Sequence, residues 1–382
     1  MTTVQHMLFV LLLQFACLES FDAKQSIRSM KHTNGSHPCP QPTVGNCSCE
    51  WTGPYVKVTC VGLDTVPEKV PESALYITFF NGTIKEIPQN FFLSFKNLIT
   101  LNLKENKISN KFKLPKSLFN LFLDNNCLNA STIFGMFDGL TRLRALHLSW
   151  NPLGEKLVPG TFSSVKNVIE LTLANCLLED VGENMFLGLT NLRTLKIFGN
   201  KIRTLKRGAF RGISCPKGET SLTLKLVDNL ISHIEDGAFE GVHGLFRLSL
   251  DGNQLSSFPN LTGFPKFSDL TLSQNNIVDA SSLTHSGIKQ LENLLLNNNQ
   301  ISVIPEDLFK HIIIRTLDLS SNRIKEIPPR FLENPKTPQI INNLYLYDNE
   351  IEFVHSESFA GLPNLKTLPP PITNIKALMR IL

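Results

Sequence analysis

Cysteines carry the plainest chemistry in this chain. Four of its eight lie close together, at Cys39, Cys47, Cys49 and Cys60, a density suited either to disulfide bonding or to a zinc ion. Zinc sites typically pair their ligands as C-x2-C or wider, and the close pair here, Cys47 and Cys49, is C-x-C. That spacing favours disulfides, with three pairings open to four cysteines. No metal and no cofactor is expected. The nine histidines are scattered without an H-x-x-x-H pair, and no serine sits in a nucleophile elbow. Acidic pairs fall on unrelated faces, so the chain is expected not to be an enzyme.

A second chemistry is glycosylation. Asn34, Asn46, Asn81, Asn129 and Asn260 each open an N-x-S/T triplet without an intervening proline, the acceptor pattern of secreted chains. Asn46, inside the cysteine cluster, is expected to be shielded. Residues 1–20 read as a signal peptide, apolar from Met7 to Leu18 and too short for a bilayer, which needs about 20 residues. No other stretch could span a membrane, and no lipid-anchor signal closes the chain. A formal charge of +4, with no run of five basic residues, argues against nucleic acid as partner. Secretion to the extracellular space or matrix is expected.

The elements that position these residues repeat. Leu98–Ile108 reads L-I-T-L-N-L-K-E-N-K-I, and its frame L-x-x-L-x-L-x-x-N-x-I returns at Leu143, Leu192, Leu245, Leu291, Ile314 and Ile341. Twelve units can be aligned on their ninth places, Gly82, Asn106, Asn126, Asn151, Cys176, Asn200, Asn229, Asn253, Asn275, Asn299, Asn322 and Asn349. This is the leucine-rich repeat signature. The fold class expected is α/β, a solenoid curved like a horseshoe, with a parallel sheet on its concave face and a disulfide-stapled amino-terminal cap. The organisation expected is a signal peptide over 1–20, a disordered leader over 21–38, the cap over 39–73, the repeat array over 74–368 and a non-repeat tail over 369–382.

The physical logic is that of stacked coils. Leucines point inward, and the recurring asparagine satisfies buried backbone groups where the chain turns. Cys176 is a poor substitute there, so unit five should have a weaker turn. Phe137, Phe186, Phe210, Phe239 and Phe359 each open a Phe-x-Gly link and should form a spine on the convex side. The first coil lacks a neighbour, which a stapled cap would cover. At about 4.8 Å per strand, Cys127 and Cys176, two units apart, are too far for a disulfide. With Cys17 removed in the signal peptide, at least one thiol stays free or pairs between chains. Cys215 is expected to be the exposed one, in an insertion that runs Ser214-Cys215-Pro216-Lys217-Gly218-Glu219.

Places two, three, five, seven and eight should face the concave side. Units three to eight present Phe122, Arg144, His147, Trp150, Arg193, Lys196, Phe198, Lys225, Phe246 and Arg247. This basic band flecked with aromatics is the candidate ligand-binding site, for aromatic and arginine side chains dominate protein interfaces. An acidic protein surface or a sulfated glycan would suit it. Asp124, Glu170, Thr172, Asp228 and Asp251 fall on the same face. A glycan on Asn81 would shield the amino-terminal end and leave the centre open.

The cap spacing C-x(n)-C-x-C-x(n)-C resembles the cysteine-rich flank of extracellular leucine-rich repeat proteins. That resemblance implies the pairs Cys39–Cys49 and Cys47–Cys60. Over roughly residues 39 to 368 the chain resembles the small leucine-rich proteoglycans and their outlying relatives, among them the nephrocan-like branch. The resemblance implies a secreted matrix protein that binds collagen or a growth factor through its concave face. The chain departs from the family in its wide Cys39–Cys47 spacing, in lacking a carboxy-terminal disulfide ear and in its irregular unit lengths. Ile372 to Leu382 could cover the last coil as an amphipathic helix; otherwise the chain is a shortened form of something longer. The rival readings are the ectodomain of a receptor whose membrane segment is missing from this chain and a secreted enzyme inhibitor.

Overall fold

The computed structural model describes residues 39–216, 218–333, 340–360, 362, 364 and 365. The signal peptide, the leader with Asn34 and the tail over 369–382 lie outside the described residues. Fourteen strands form one sheet. It opens with the hairpin β1 (Asn46–Thr52) and β2 (Tyr55–Val61), the only antiparallel pair in this sheet among the described residues. β2 then runs parallel to β3 (Ala74–Phe80). The stack continues through β4 (Thr100–Asn102), β5 (Asn120–Phe122), β6 (Ala145–His147), β7 (Glu170–Thr172) and β8 (Thr194–Lys196). It goes on through β9 (Leu222–Lys225), β10 (Leu245–Ser249), β11 (Lys266–Thr271), β12 (Gln290–Leu295), β13 (Ile313–Asp318) and β14 (Asn343–Tyr345). Each repeat adds one strand, paired only with its neighbours, as a quasi-one-dimensional solenoid requires.

The cap works by extending this sheet. Cys39–Cys49 and Cys47–Cys60 are disulfide-bonded, tying the hairpin to the segment that precedes it. Val56, Val58 and Cys60 alternate inward from β2 and are buried, while Trp51 packs half-buried against the same core. The first coil's strand edge and apolar end are thus covered together. Asn46, contrary to expectation, is exposed. It opens β1, the edge strand of the sheet, so the disulfides on either side do not bury its side chain.

The buried asparagines explain why one residue type recurs. Asn253 Nδ2 donates to the carbonyls of Leu226 and Leu250, both at 2.9 Å, and its Oδ1 accepts from Ile231 N at 3.0 Å. One amide therefore serves the sixth places of two adjacent coils and the eleventh place of the earlier one. Asn126, Asn151, Asn275, Asn299 and Asn322 repeat the arrangement. Cys176 keeps only half of it. Its thiol donates to Leu148 O and Ala174 O at 3.3 and 3.4 Å, but it offers no amide oxygen, and Leu153 N turns instead to Asn151 O at 2.8 Å. Gly82 is forced, since a Cβ there would lie 2.3 Å from Leu63 O in the cap junction.

On the opposite side, Phe137, Phe162, Phe186, Phe210 and Phe239 stack nearly parallel, with centroids 6.3, 6.4, 6.0 and 5.6 Å apart. Strands advance only about 4.8 Å per unit, so each coil is a wedge, wide at the phenylalanines and narrow at the strands. The sheet therefore lies on the inner side of the curve. The Phe-x-Gly link is a tight turn: Gly212 has φ 94° and its Cβ would meet Leu187 Cα at 2.9 Å, so no other residue fits. Phe359 is only half-buried.

Candidate ligand-binding face

Pleating decides what the inner face shows. In each short strand the middle residue is buried and its two neighbours face outward, as in β6, where Leu146 is buried between Ala145 and His147. Place eight follows a different rule. All twelve residues there, Asn81, Glu105, Asn125, Trp150, Asn175, Gly199, Asp228, Gly252, Gln274, Asn298, Ser321 and Asp348, have positive φ. Asn, Asp and Gly tolerate that conformation, whereas a bulky residue pays about 1–2 kcal/mol. Trp150, at φ 61° and 47% exposed, is the outlier. Leu177, one coil on, is also left-handed, at φ 63°, and exposed.

Four expected residues, His147, Lys196, Phe198 and Lys225, line one hollow of about 380 Å³ with Asp124, Ser149 and Thr172. Phe122 joins them through His147, whose ring it meets edge-on at 4.8 Å. Arg144 and Trp150 are not part of the hollow; Arg144 donates to Asn167 O at 3.0 Å. Phe246 and Arg247 sit in β10 at a bulge, where Leu222 pairs with Leu245 but Thr223 with Arg247, leaving Phe246 without an opposite residue.

The band is not the positive surface expected from its cations. Lys196 Nζ is 2.6 Å from Glu170 Oε1, Arg193 Nη2 2.8 Å from Glu219 Oε1 and Arg247 Nε 2.7 Å from Asp269 Oδ2. Lys104 Nζ lies 3.0 Å from Asp124 Oδ2, an ion contact without hydrogen-bond alignment. Glu219 belongs to the insertion, which thus reaches back to the sheet and neutralises Arg193. The sequence places Asp124, Glu170 and Thr172 on this face but singles out only cations and aromatics as the site, and it leaves out Lys104 and Ser149, which complete it. Pairing runs from one coil to the next, and only the register reveals it.

His147 sits midway in this chain of charges, 3.9 Å from Asp124 Oδ2 through Nδ1 and 3.9 Å from Glu170 Oε1 through Nε2. Burial pushes its pKa below the ordinary value, outweighing the two carboxylates, and Lys104 and Lys196 push the same way. Burial opposes ionisation of Glu170, yet the bonded Lys196 ammonium holds its carboxyl below the usual range. At neutral pH the row reads cation, anion, neutral ring, anion, cation.

The exposed thiol is Cys127, not Cys215. Cys215 is buried because the insertion folds down: Ser214 bridges to His243, and the Cys215 thiol lies 3.4 Å from Leu192 O. Cys127 stands at place ten, which points outward. Among the described residues no group of three His, Cys, Asp or Glu could hold a metal ion, and no helix is long and apolar enough to cross a membrane.

The leucine-rich repeat family profile matches residues 156–215, 222–277, 289–337 and 314–369, more than half of the chain. The chain belongs to the leucine-rich repeat family. Within it, the relatives are small leucine-rich proteoglycans. Lumican of Gallus gallus is 27% identical over 326 residues, 83% of this chain and 77% of that protein. Podocan of Mus musculus is 26% identical over 333 residues, 80% of this chain and 53% of that one, so the chain spans about half of podocan. Among solved structures, the repeat protein of a TLR13–ssRNA13 complex is similar at TM-score 0.61 and 23% identity, over 76% of this chain and 46% of that chain. This last likeness is one of fold.

Proposed function

We propose that this protein is a secreted, non-enzymatic binding protein of the extracellular matrix or pericellular space, holding a protein ligand on the sheet face of units three to eight. The observation that carries the reading is the central hollow, where exposed Phe198 meets Lys225 and His147. Aromatic and basic side chains grouped in this way are the usual anchors of protein interfaces. Lumican and podocan as relatives support an extracellular site of action. Processing after residues 1–20 and glycans on Asn34, Asn46, Asn81, Asn129 and Asn260 belong to the same reading; the four of these within the described residues are exposed.

A matrix component such as collagen, or a growth factor, is the ligand class that the family resemblance implies. A long sulfated glycan fits less well, because most cations of the face already have a carboxylate beside them. Capture of ligands from extracellular fluid on the purified chain, followed by oxidative footprinting of the complex, tests the proposal. Protection of Trp150, Phe198 and Phe246 is expected. Protection confined to the phenylalanine side would overturn it.

A further inference from the structure

Among the described residues most cations of the sheet face stand beside a carboxylate; Arg144, outside the hollow, donates to a backbone carbonyl instead, and Lys225 is the cation of the hollow without one. Lys104, Arg193, Lys196, Arg247 and Arg315 each contact a carboxylate, those of Asp124, Glu219, Glu170, Asp269 and Glu292. Lys225 lines the hollow and is exposed, but it has no ion pair among the described residues. Its register partners are Lys196 on one side and Ser249 on the other. Two lysines thus stand opposite each other on adjacent strands, and only Lys196 has a carboxylate, that of Glu170 on the strand before it. Like charges directly opposite in a sheet are destabilising, and the deficit is one negative charge.

We propose that this hollow takes one carboxylate of the protein ligand, received between Lys225 and Lys196, with an adjacent apolar side chain of the ligand seated on Phe198. The inference rests on the reading that the sheet face binds protein, and it names the group recognised. The surroundings suit a single acid and not a polyanion: Asp124 in the wall and Glu170, bonded to Lys196, would repel a second ligand anion. Ser149 and Thr172, joined by a hydroxyl hydrogen bond of 3.1 Å, give a polar floor.

His147 makes the site pH-sensitive. The groups facing it are Phe122 and Asp124 on the earlier coil, Lys104 beyond them, and Glu170 and Lys196 on the later side. Protonation of His147 adds positive charge to the hollow, so capture of an acid strengthens as pH falls.

The test uses the full chain and immobilised hexapeptides that carry aspartate beside leucine or phenylalanine, each printed with its asparagine twin. Aspartate members should be captured about tenfold above their twins, the size of one charge-assisted hydrogen bond. Lys225→Met should abolish that preference and leave the circular dichroism spectrum unchanged. The preference should grow from about pH 8 to about pH 5.5 and stay flat in His147→Gln. Equal capture of the twins, capture of neither, or an undiminished preference in Lys225→Met overturns the acid site. Phe198→Arg separates the two claims: if the native chain captures the twins equally and Phe198→Arg abolishes capture of both, the face binds protein without acid recognition. If peptides bind and Phe198→Arg changes nothing, the face itself is not the site. Displacement by heparin fragments but not by free aspartate peptides would assign the hollow to sulfated glycan and overturn the proposal.

Discussion

Lys225 and Lys196 stand opposite each other in adjacent parallel strands, and only Lys196 has a carboxylate, its Nζ 2.6 Å from Glu170 Oε1. Lys225→Glu should therefore not weaken the fold. Replacing a repulsive cross-strand pair by an attractive one is expected to stabilise by about 0.2–1 kcal/mol, read as a higher thermal midpoint. A loss of stability would show that Lys225 has a structural partner.

The asparagine ladder should be sensitive in proportion to what each amide holds. Asn253→Ala leaves two carbonyls and one N–H unpaired in a buried turn, at about 1–3 kcal/mol for each group. Cys176→Ala removes only two thiol contacts, because Leu153 N is already served elsewhere. Urea denaturation should show Asn253→Ala losing more than Cys176→Ala by at least about 2 kcal/mol. Equal losses would contradict this account of the turn.

Trp150 costs the fold what it offers to a partner. Trp150→Asn is expected to stabilise by about 1 kcal/mol, since asparagine accepts the left-handed backbone at φ 61°. The same variant should lose part of its ligand capture. A less stable variant would mean that the indole contributes packing which its exposure does not suggest.

The three free thiols among the described residues should differ sharply in a labelling experiment on the chain without residues 1–20. Cys127 is exposed, Cys176 and Cys215 are buried, and burial pushes the Cys176 thiol up to about 12, suppressing the reactive thiolate. Native protein should take up one equivalent of maleimide, lost in Cys127→Ser, with the others reacting only after denaturation. Native labelling of Cys215 would show that the insertion opens.

Stability should fall with acidity in two stages. His147 has a folded pKa below its unfolded value, so the unfolded chain binds its proton first and stability drops as pH falls through about 6.5. Glu170 and Asp269 also have lowered folded pKa values, each opposed by burial and overcome by hydrogen bonds and nearby cations. Their stabilisation, present above the unfolded carboxylate range, is lost as pH falls through the folded values. His147→Gln should remove the first stage and keep the second. A wild-type curve that is flat between pH about 7 and about 5 would contradict the placement of His147.

The fold could be read from periodicity because each constraint recurs. Leucines at places one, four and six, asparagine at nine and Phe-x-Gly beyond are answers to the same packing problem posed in every coil. The left-handed place eight left a trace as well: eight of its twelve residues are Asn, Asp or Gly, and Trp150 is the bulkiest of the four others. The site was harder to read. Arg193 is neutralised by Glu219 from an insertion and Lys196 by Glu170 from the preceding coil, and no local pattern links those residues. Cys215 likewise reads as a loop residue until the bridge from Ser214 to His243 draws it inward.

Charge reversal on the face, matched to reversal on the opposite side, tests the central claim most directly. Arg193→Glu, Lys196→Glu and Arg247→Glu together should abolish capture of the protein ligand from extracellular fluid, with the thermal midpoint kept within a few degrees. Lys206→Glu with Arg211→Glu, whose side chains pair with Asp180 and with Glu183 and Glu240 away from the hollow, should capture it as the native chain does. Unchanged capture by the triple variant would contradict ligand binding through the sheet face.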